Sequence, residues 1–185
     1  MLSIADTIDG ESLFAVSAVN RFLFMKYIEL TKGKRAMVDD EDYEELSKYK
    51  WYVQKAKAGN IYYASRNLPK KHAPDKHGCI LMHRTIMNTP AGMKTDHIDH
   101  DGLNNQKNNL RICTHAENLR NTRIRSDNAS GLKGVCFDKI NKKWRANIWL
   151  NGKQKNLGRF LTKNEARQAY KKASIKYYRE FASFV

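Results

Sequence analysis

"TDHIDHDGLNNQKNNLRICTHAEN", residues 95–118, is the stretch whose reading decides the fold. "KTDHI" (94–98) has the length of a short strand, "DHDGLNNQKNN" (99–109) is a turn-rich loop, and "NLRICT" (109–114) reads as a second strand. "THAEN" then opens a helix, with Thr114 as N-cap and Glu117 three residues later in the spacing of a capping box. A strand–loop–strand–helix of this size lays its helix across the hairpin. Asp96 and His97, near the end of the first strand, are therefore expected to face Asn118 on the first helical turn.

Asp96 and Asn118 both offer hard oxygen donors, the kind that suit Mg²⁺, an ion that keeps several waters and takes few protein ligands. His97 beside them is placed to deprotonate a water for attack on phosphorus. Asn109, closing the loop, is expected to bond loop carbonyls and to hold His97 in orientation. Asn104, Asn105 and Asn108 read as turn residues, since asparagine tolerates left-handed backbone. An EF-hand registered on Asp99, Asp101 and Gly102 fails, because His97 takes its first position and Asn108 the place of the closing bidentate Glu. His115 is a rival to Asn118 as the last ligand but, one residue after the N-cap, reads as exposed, and His100 in the loop reads as solvated. His83 and Arg84 are either a core pair or a supporting pair near the site. Arg111, Arg120, Arg123 and Arg125 lie in or after this segment, and beside a phosphodiester site they are placed to clamp phosphates.

The pattern "DHID…NNL…EN" resembles the ββα-metal (HNH, His-Me finger) nucleases, specifically phage and intron-encoded homing endonucleases, over roughly residues 80–123. The resemblance implies Asp96 and Asn118 as metal ligands, His97 as general base and Asn109 as the middle Asn of the signature. It implies Mg²⁺ or Mn²⁺ as cofactor. The chain lacks the paired cysteines of zinc-bearing members: Cys79, Cys113 and Cys136 form no C-x-x-C pair, so zinc is not expected and the unit must be held by packing.

The rest of the chain is read outward from that core. Residues 1–24 share no later pattern and read as an extension, with Met25 as an ancestral start; "LFAVSAVNRFLFM" (13–25) is too interrupted and acid-flanked for a secretory signal. Residues 25–78 read as a small accessory ββαββ unit: strands "YIEL" and "RAMV", a helix over "DDEDYEELSKYKW", a hairpin of "WYVQKA" and "IYYASR", and a polar loop, 67–78. "CILMHRTIMN" (79–88) reads as a buried helix opening the nuclease core, 79–123. A polar linker, 124–131, leads to the last unit.

Residues 132–185 carry three strand candidates, "GVCFD", "KWRANIWL" and "KQKNLGRF", then a helix opened by a second capping box, Thr162 and Glu165. Strand alternation turns Trp144, Ala146, Ile148 and Leu150 toward that helix. Arg145, Asn147 and Trp149, with Gln154 and Asn156, are left on the outer face. On the helix, Ala166, Ala169, Tyr170, Ala173 and Tyr177 form the apolar stripe. This unit resembles the Apetala/ethylene-response-factor DNA-binding domain over nearly its whole length, including "LGRF" and "EARQAY". The resemblance implies DNA contact by Arg145, Asn147, Trp149, Gln154 and Asn156, and by Lys133 on the phosphate backbone. Cys136 and Asp138 stand where the plant proteins carry arginine, so their recognition sequence does not transfer.

Charge supports a polyanionic partner. The net charge is +15, and its distribution is uneven: +2 over residues 1–80, +3 over 81–126, and +10 over 127–185, where fourteen Lys and Arg face four Asp and Glu. Mean hydropathy is −0.71, and no apolar run nears the roughly 20 residues of a spanning helix.

The expected fold class is α+β: a ββαββ unit, a ββα-metal core, and a three-stranded antiparallel sheet on one helix. The expected function is a site-directed DNA endonuclease acting on double-stranded DNA. It would work as a monomer, with a dimer left open, in the cytoplasm of a host cell carrying a phage or mobile element. The competing class is a non-catalytic DNA-binding regulator with a degenerate nuclease core, and RNA cleavage is a third option.

Overall fold

A computed structural model describes residues 25–56, 60–69 and 78–184. The N-terminal extension, the tip of the 52–67 hairpin and most of the 67–78 loop lie outside these residues. The chain forms two units, Met1–Thr89 with His97–Arg111, and Pro90–Asp96 with Ile112–Val185. The division falls inside the 79–123 segment.

In the first unit, Met25–Glu29 (β1) and Arg35–Asp39 (β2) pair antiparallel, with Ile28, Ala36 and Val38 buried. Asp40–Ser47 (α1) follows at once. Its first turn carries Asp40, Glu41 and Asp42, which complement the positive helix end. Tyr52–Lys55 (β3), Tyr62–Asn67 (β4) and Cys79–Leu81 (β5) form an antiparallel sheet in that order. Only Met82–Ile86 (α2) of the expected 79–88 helix is helical, because Cys79 to Leu81 instead complete the sheet against Ser65 to Asn67. Leu46, Trp51, Ala64 and Met82 join the β1–β2 residues in one core. Burying a side chain such as Met82 or Leu46 contributes roughly 1.5–3 kcal/mol.

The loop after His97 belongs to this unit because its backbone pairs with β2. Met37 N–H donates to the Leu103 carbonyl, and Asn105 N–H donates back to the Met37 carbonyl, both at 2.8 Å. The Asp39 carboxylate accepts from Gln106 Nε2 at 3.0 Å and from Lys107 N–H at 2.8 Å. Leu103 packs against the core. At Gly102 a Cβ would stand 2.4 Å from the Tyr62 carbonyl and 2.6 Å from the Tyr63 ring, so only glycine allows this approach.

In the second unit, Val135–Asp138 (β8), Lys143–Leu150 (β9) and Lys153–Phe160 (β10) form an antiparallel sheet with β9 central. Lys163–Tyr178 (α4) packs on it, its N-terminus closed by the Thr162–Glu165 capping box. Ala146 and Ile148 are fully buried, while Trp144 and Leu150 pack against the same core. The buried stripe of α4 is Ala166, Tyr170, Ala173, Ser174 and Tyr178, with Ala169 and Tyr177 packed against the same core at its partly buried edge. The steps of four from Ala166 through Tyr170 and Ser174 reach Tyr178, whose hydroxyl donates to the Trp149 carbonyl at 2.6 Å. Tyr177 is only half-buried and takes Lys155 Nζ at 3.1 Å.

Lys94–His97 (β6) and Leu110–Cys113 (β7) pair as a two-stranded sheet, and the division between units falls within both strands. His115–Arg120 (α3) follows, with both halves of the Thr114–Glu117 capping box formed. Helix and strand are thus mixed throughout, an α+β chain.

Candidate active site

His97 ends β6 and is 6% exposed. Its Nε2 lies 3.3 Å from Oδ1 of Asn105, a fully buried residue whose own Nδ2 donates to the Leu103 carbonyl at 3.3 Å. That second bond turns the amide oxygen toward the imidazole. Facing that oxygen, Nε2 is the donor, and the network favours the tautomer with its proton on Nε2. The His83 ring stands perpendicular to His97 at 4.9 Å, and Tyr63 lies 5.9 Å from His97 and 5.4 Å from His83. His83 is buried, and its Nδ1 has no hydrogen-bond partner among the described residues. Burial first, then the positive charges that His97 and Arg84 can carry, push the His83 pKa down to about 3. His83 is thus a neutral ring beside His97.

The expected loop role of Asn109 is present in part. Its Oδ1 accepts from Asp99 N–H at 3.0 Å, and its Nδ2 donates to Asp99 Oδ1 at 2.9 Å and to the Asn104 carbonyl at 2.8 Å. It fastens both ends of the loop, while Asn105 Oδ1 is what meets His97 Nε2. The reading of Asn105 as a simple turn residue is corrected here. A weak signal existed: Leu103, the one apolar residue of the loop, marks the point where it turns inward.

Asp96, one residue before His97, is 7% exposed. Asn121, at the C-cap of α3, donates Nδ2 to both carboxylate oxygens, at 3.1 and 3.0 Å. The sequence reading missed this residue, although it stands three positions after Asn118 and shares its helix face. Asn118 is half-buried on α3, and its side-chain amide makes no hydrogen bond with any described residue. Among the described residues no three His, Cys, Asp or Glu side chains gather as a metal site. Asp96 and Asn118 each carry hard oxygen donors, one a buried carboxylate oriented by Asn121 and the other a side-chain amide with no hydrogen bond among the described residues. Hard donors of this kind match Mg²⁺ or Mn²⁺.

The basic residues fall into different settings. Lys133 Nζ donates to the Arg120 carbonyl at 2.7 Å and to the Thr122 carbonyl, closing the end of α3. Burial pulls its pKa down to about 8 against the opposing field of Asp96. Arg120 lies over the Tyr178 ring at 4.8 Å. Arg125 forms a two-point pair with Asp127, at 3.0 and 2.8 Å. Arg123 is exposed and Arg111 half-buried. On the outer face of β9, Trp149 is 59% exposed and Arg145 half-buried, whereas Asn147 is buried at 8%. Gln154 and Asn156 are exposed on β10, where Asn156 Oδ1 accepts from Gly158 N–H at the bulge. Arg145, Trp149 and Gln154 line a cavity of about 690 Å³ with Leu119, Arg120 and Tyr178. Asp138, at the end of β8, is held well below the carboxylate range by the Asn141 backbone N–H and then by Arg159.

A family model described as HNH endonuclease matches residues 88–120, from the end of α2 through α3. The class defined is therefore a nuclease. An "Uncharacterized HNH endonuclease" of Acanthamoeba polyphaga mimivirus is 30% identical over 158 residues, 82% of this chain and 75% of that protein. The chain belongs to the HNH endonuclease family. "Protein 3.8" of Escherichia phage T7 is 40% identical over 67 residues, 36% of this chain and 55% of that protein. No solved structure matches. Among the described residues no helix is long and apolar enough to cross a membrane.

Proposed function

We propose that the chain is a homing-type DNA endonuclease of the ββα-metal class, with His97 as general base and Asp96 and Asn118 as metal ligands. The observation that carries this is the fixed state of two consecutive residues: His97 polarised through Nε2 by Asn105, and Asp96 clamped by Asn121. In the reaction, His97 Nδ1 takes a proton from water as the water oxygen bonds to phosphorus. One P–O ester bond breaks, the departing oxygen takes a proton from solvent, and His97 returns its own proton to solvent. A bound Mg²⁺ or Mn²⁺ supplies Lewis-acid stabilisation of the departing oxygen and of the charge at phosphorus. Asn121 and Asn105 fix the carboxylate and the imidazole, which lessens reorganisation during the reaction.

The second unit is the DNA reader in this proposal. Arg145, Trp149 and Gln154 offer a guanidinium, an indole and an amide on the outer sheet face, and Arg123 meets phosphates. Lys133 serves instead as the tie at the end of α3. The protein acts as a monomer on double-stranded DNA in the host-cell cytoplasm. With about six phosphate contacts, affinity should fall on the order of 10³-fold between 50 and 200 mM salt.

The test is cleavage of supercoiled plasmid DNA in Mg²⁺, in Mn²⁺ and in EDTA, by the wild type and by His97→Ala. Cleavage should need the metal and vanish in the variant, with DNA binding kept. Full cutting in EDTA, or by His97→Ala, would remove the reading.

A further inference from the structure

A pocket of about 450 Å³ in the first unit lies far in sequence from the nuclease signature, and nothing in the proposed reaction uses it. It is lined by Thr31, Tyr49, Lys50, Tyr52, Arg66 and Asn67, with Trp51 behind. Arg66, on β4, holds its guanidinium 3.7 Å from the Tyr49 ring centre and 5.4 Å from that of Trp51. The stack fixes the plane of the group and leaves its N–H donors unused. Arg66 makes no hydrogen bond with any described side chain, and its Nε is buried without a partner. Lys50 beside it is exposed and makes no ion pair or hydrogen bond among the described residues. Glu45, whose carboxylate feels the charge of Arg66, already accepts from Lys48 Nζ and Tyr49 OH.

A guanidinium with five donors and no acceptor, held flat on an aromatic ring in an open pocket, is preorganised for a tetrahedral oxyanion. We propose that Arg66 and Lys50 form a second phosphodiester-binding site, which grips the DNA backbone from the N-terminal unit, away from the residues that cut. Tyr52 and Asn67 bond each other at 3.0 Å across the pocket wall and keep β3 and β4 in register beneath it. The site rests on the reading of the chain as a DNA enzyme. It adds a grip from a unit whose net charge is small, so its effect reads through specific residues and not through bulk charge.

The experiment is anisotropy binding of the full chain to a mixed-sequence duplex of about 40 base pairs, in EDTA, over a salt series. Arg66→Gln should reduce the slope of log K against log salt by about 0.9 and weaken low-salt binding by roughly tenfold. Arg66→Lys should restore the slope but not the full affinity, since an ammonium lacks the flat fork. Lys50→Gln, at an exposed position, should lower the slope by a similar amount with an unchanged melting temperature, which keeps the test informative if Arg66→Gln folds poorly. Unchanged slopes in Lys50→Gln, or in a folded Arg66→Gln, would overturn the site. Plasmid cleavage separates the two readings: slopes that fall in a protein that never cuts leave the site standing without the nuclease. A wild type that fails to bind the duplex removes both.

Discussion

Asn121 donates one amide nitrogen to both oxygens of Asp96, at 3.1 and 3.0 Å, from the last turn of the helix that also carries Asn118. Two asparagines three residues apart thus have different tasks. One amide holds the buried carboxylate in place, and the other makes no side-chain hydrogen bond with any described residue, as its proposed role of cation ligand requires.

The two amides should separate in mutation. Asn121→Ala leaves Asp96 short of a buried partner and should cost about 1–3 kcal/mol of stability. It should also lower metal affinity or cleavage by roughly 10- to 100-fold. Asn118→Ala removes no internal hydrogen bond, so it should stay within about 0.5 kcal/mol of wild type while cleavage is lost. Urea melts beside a cleavage assay check both, and equal stability losses would contradict the division.

Asn105 should behave as a positioning residue for His97. Its Oδ1 fixes the Nε2–H tautomer, so Asn105→Ala should lower kcat by roughly 10²-fold while KM and DNA binding hold. His97→Ala should lose more, up to about 10⁴-fold. Single-turnover cleavage with saturating enzyme measures the chemical step in both. An Asn105→Ala enzyme with wild-type kcat would show that the tautomer does not matter.

The legible part of this site was its local part. Thr114 with Glu117, and Thr162 with Glu165, announce their helices because a capping box closes within four residues. Asp96, His97, Asn109 and Asn118 stood out by type and spacing. Asn105 did not, since an asparagine in a run of asparagines looks like every other turn residue. Its role depends on β2, nearly seventy positions earlier, and pairing at that distance leaves no periodic mark. The same non-local pairing put the loop with the N-terminal unit and made strand residues of Cys79 to Leu81. Asn147 was assigned outward by strand alternation and is buried all the same, because alternation gives the face of a residue and not what covers that face.

His83 should give stability a distinct pH dependence. Its folded pKa, about 3, lies below the ordinary value of 6.5, so the unfolded chain binds the extra proton between these limits. Stability from this residue is fully present above pH 6.5 and declines as pH falls toward 3, by up to about 1.4 kcal/mol per pH unit. His83→Phe should flatten that part of the profile. The difference between wild-type and variant urea midpoints, from pH 7 to pH 4, is the measurement, with parallel curves as the contrary result.

Gly102 tests whether the loop seat and the chemistry are one structure. A methyl group there meets the Tyr62 carbonyl at 2.4 Å and the Tyr63 ring at 2.6 Å, and the carbonyl belongs to a paired strand that cannot yield cheaply. Gly102→Ala should therefore cost about 1–3 kcal/mol. Tyr63 also flanks His97, and Asn105, tied to the Leu103 carbonyl, reaches the imidazole from the same loop. Lifting the loop from β4 should thus displace Asn105 from the ring, and cleavage should fall at temperatures where the variant is still fully folded. Gly92→Ala is the control, since its site has open space and its cost comes instead from a left-handed backbone, φ 81°: it should lose stability without a matching loss of rate. If Gly102→Ala cut DNA at the wild-type rate below its melting transition, the seat on β4 would be a matter of stability alone, and the alignment of His97 would have to come from β6 itself.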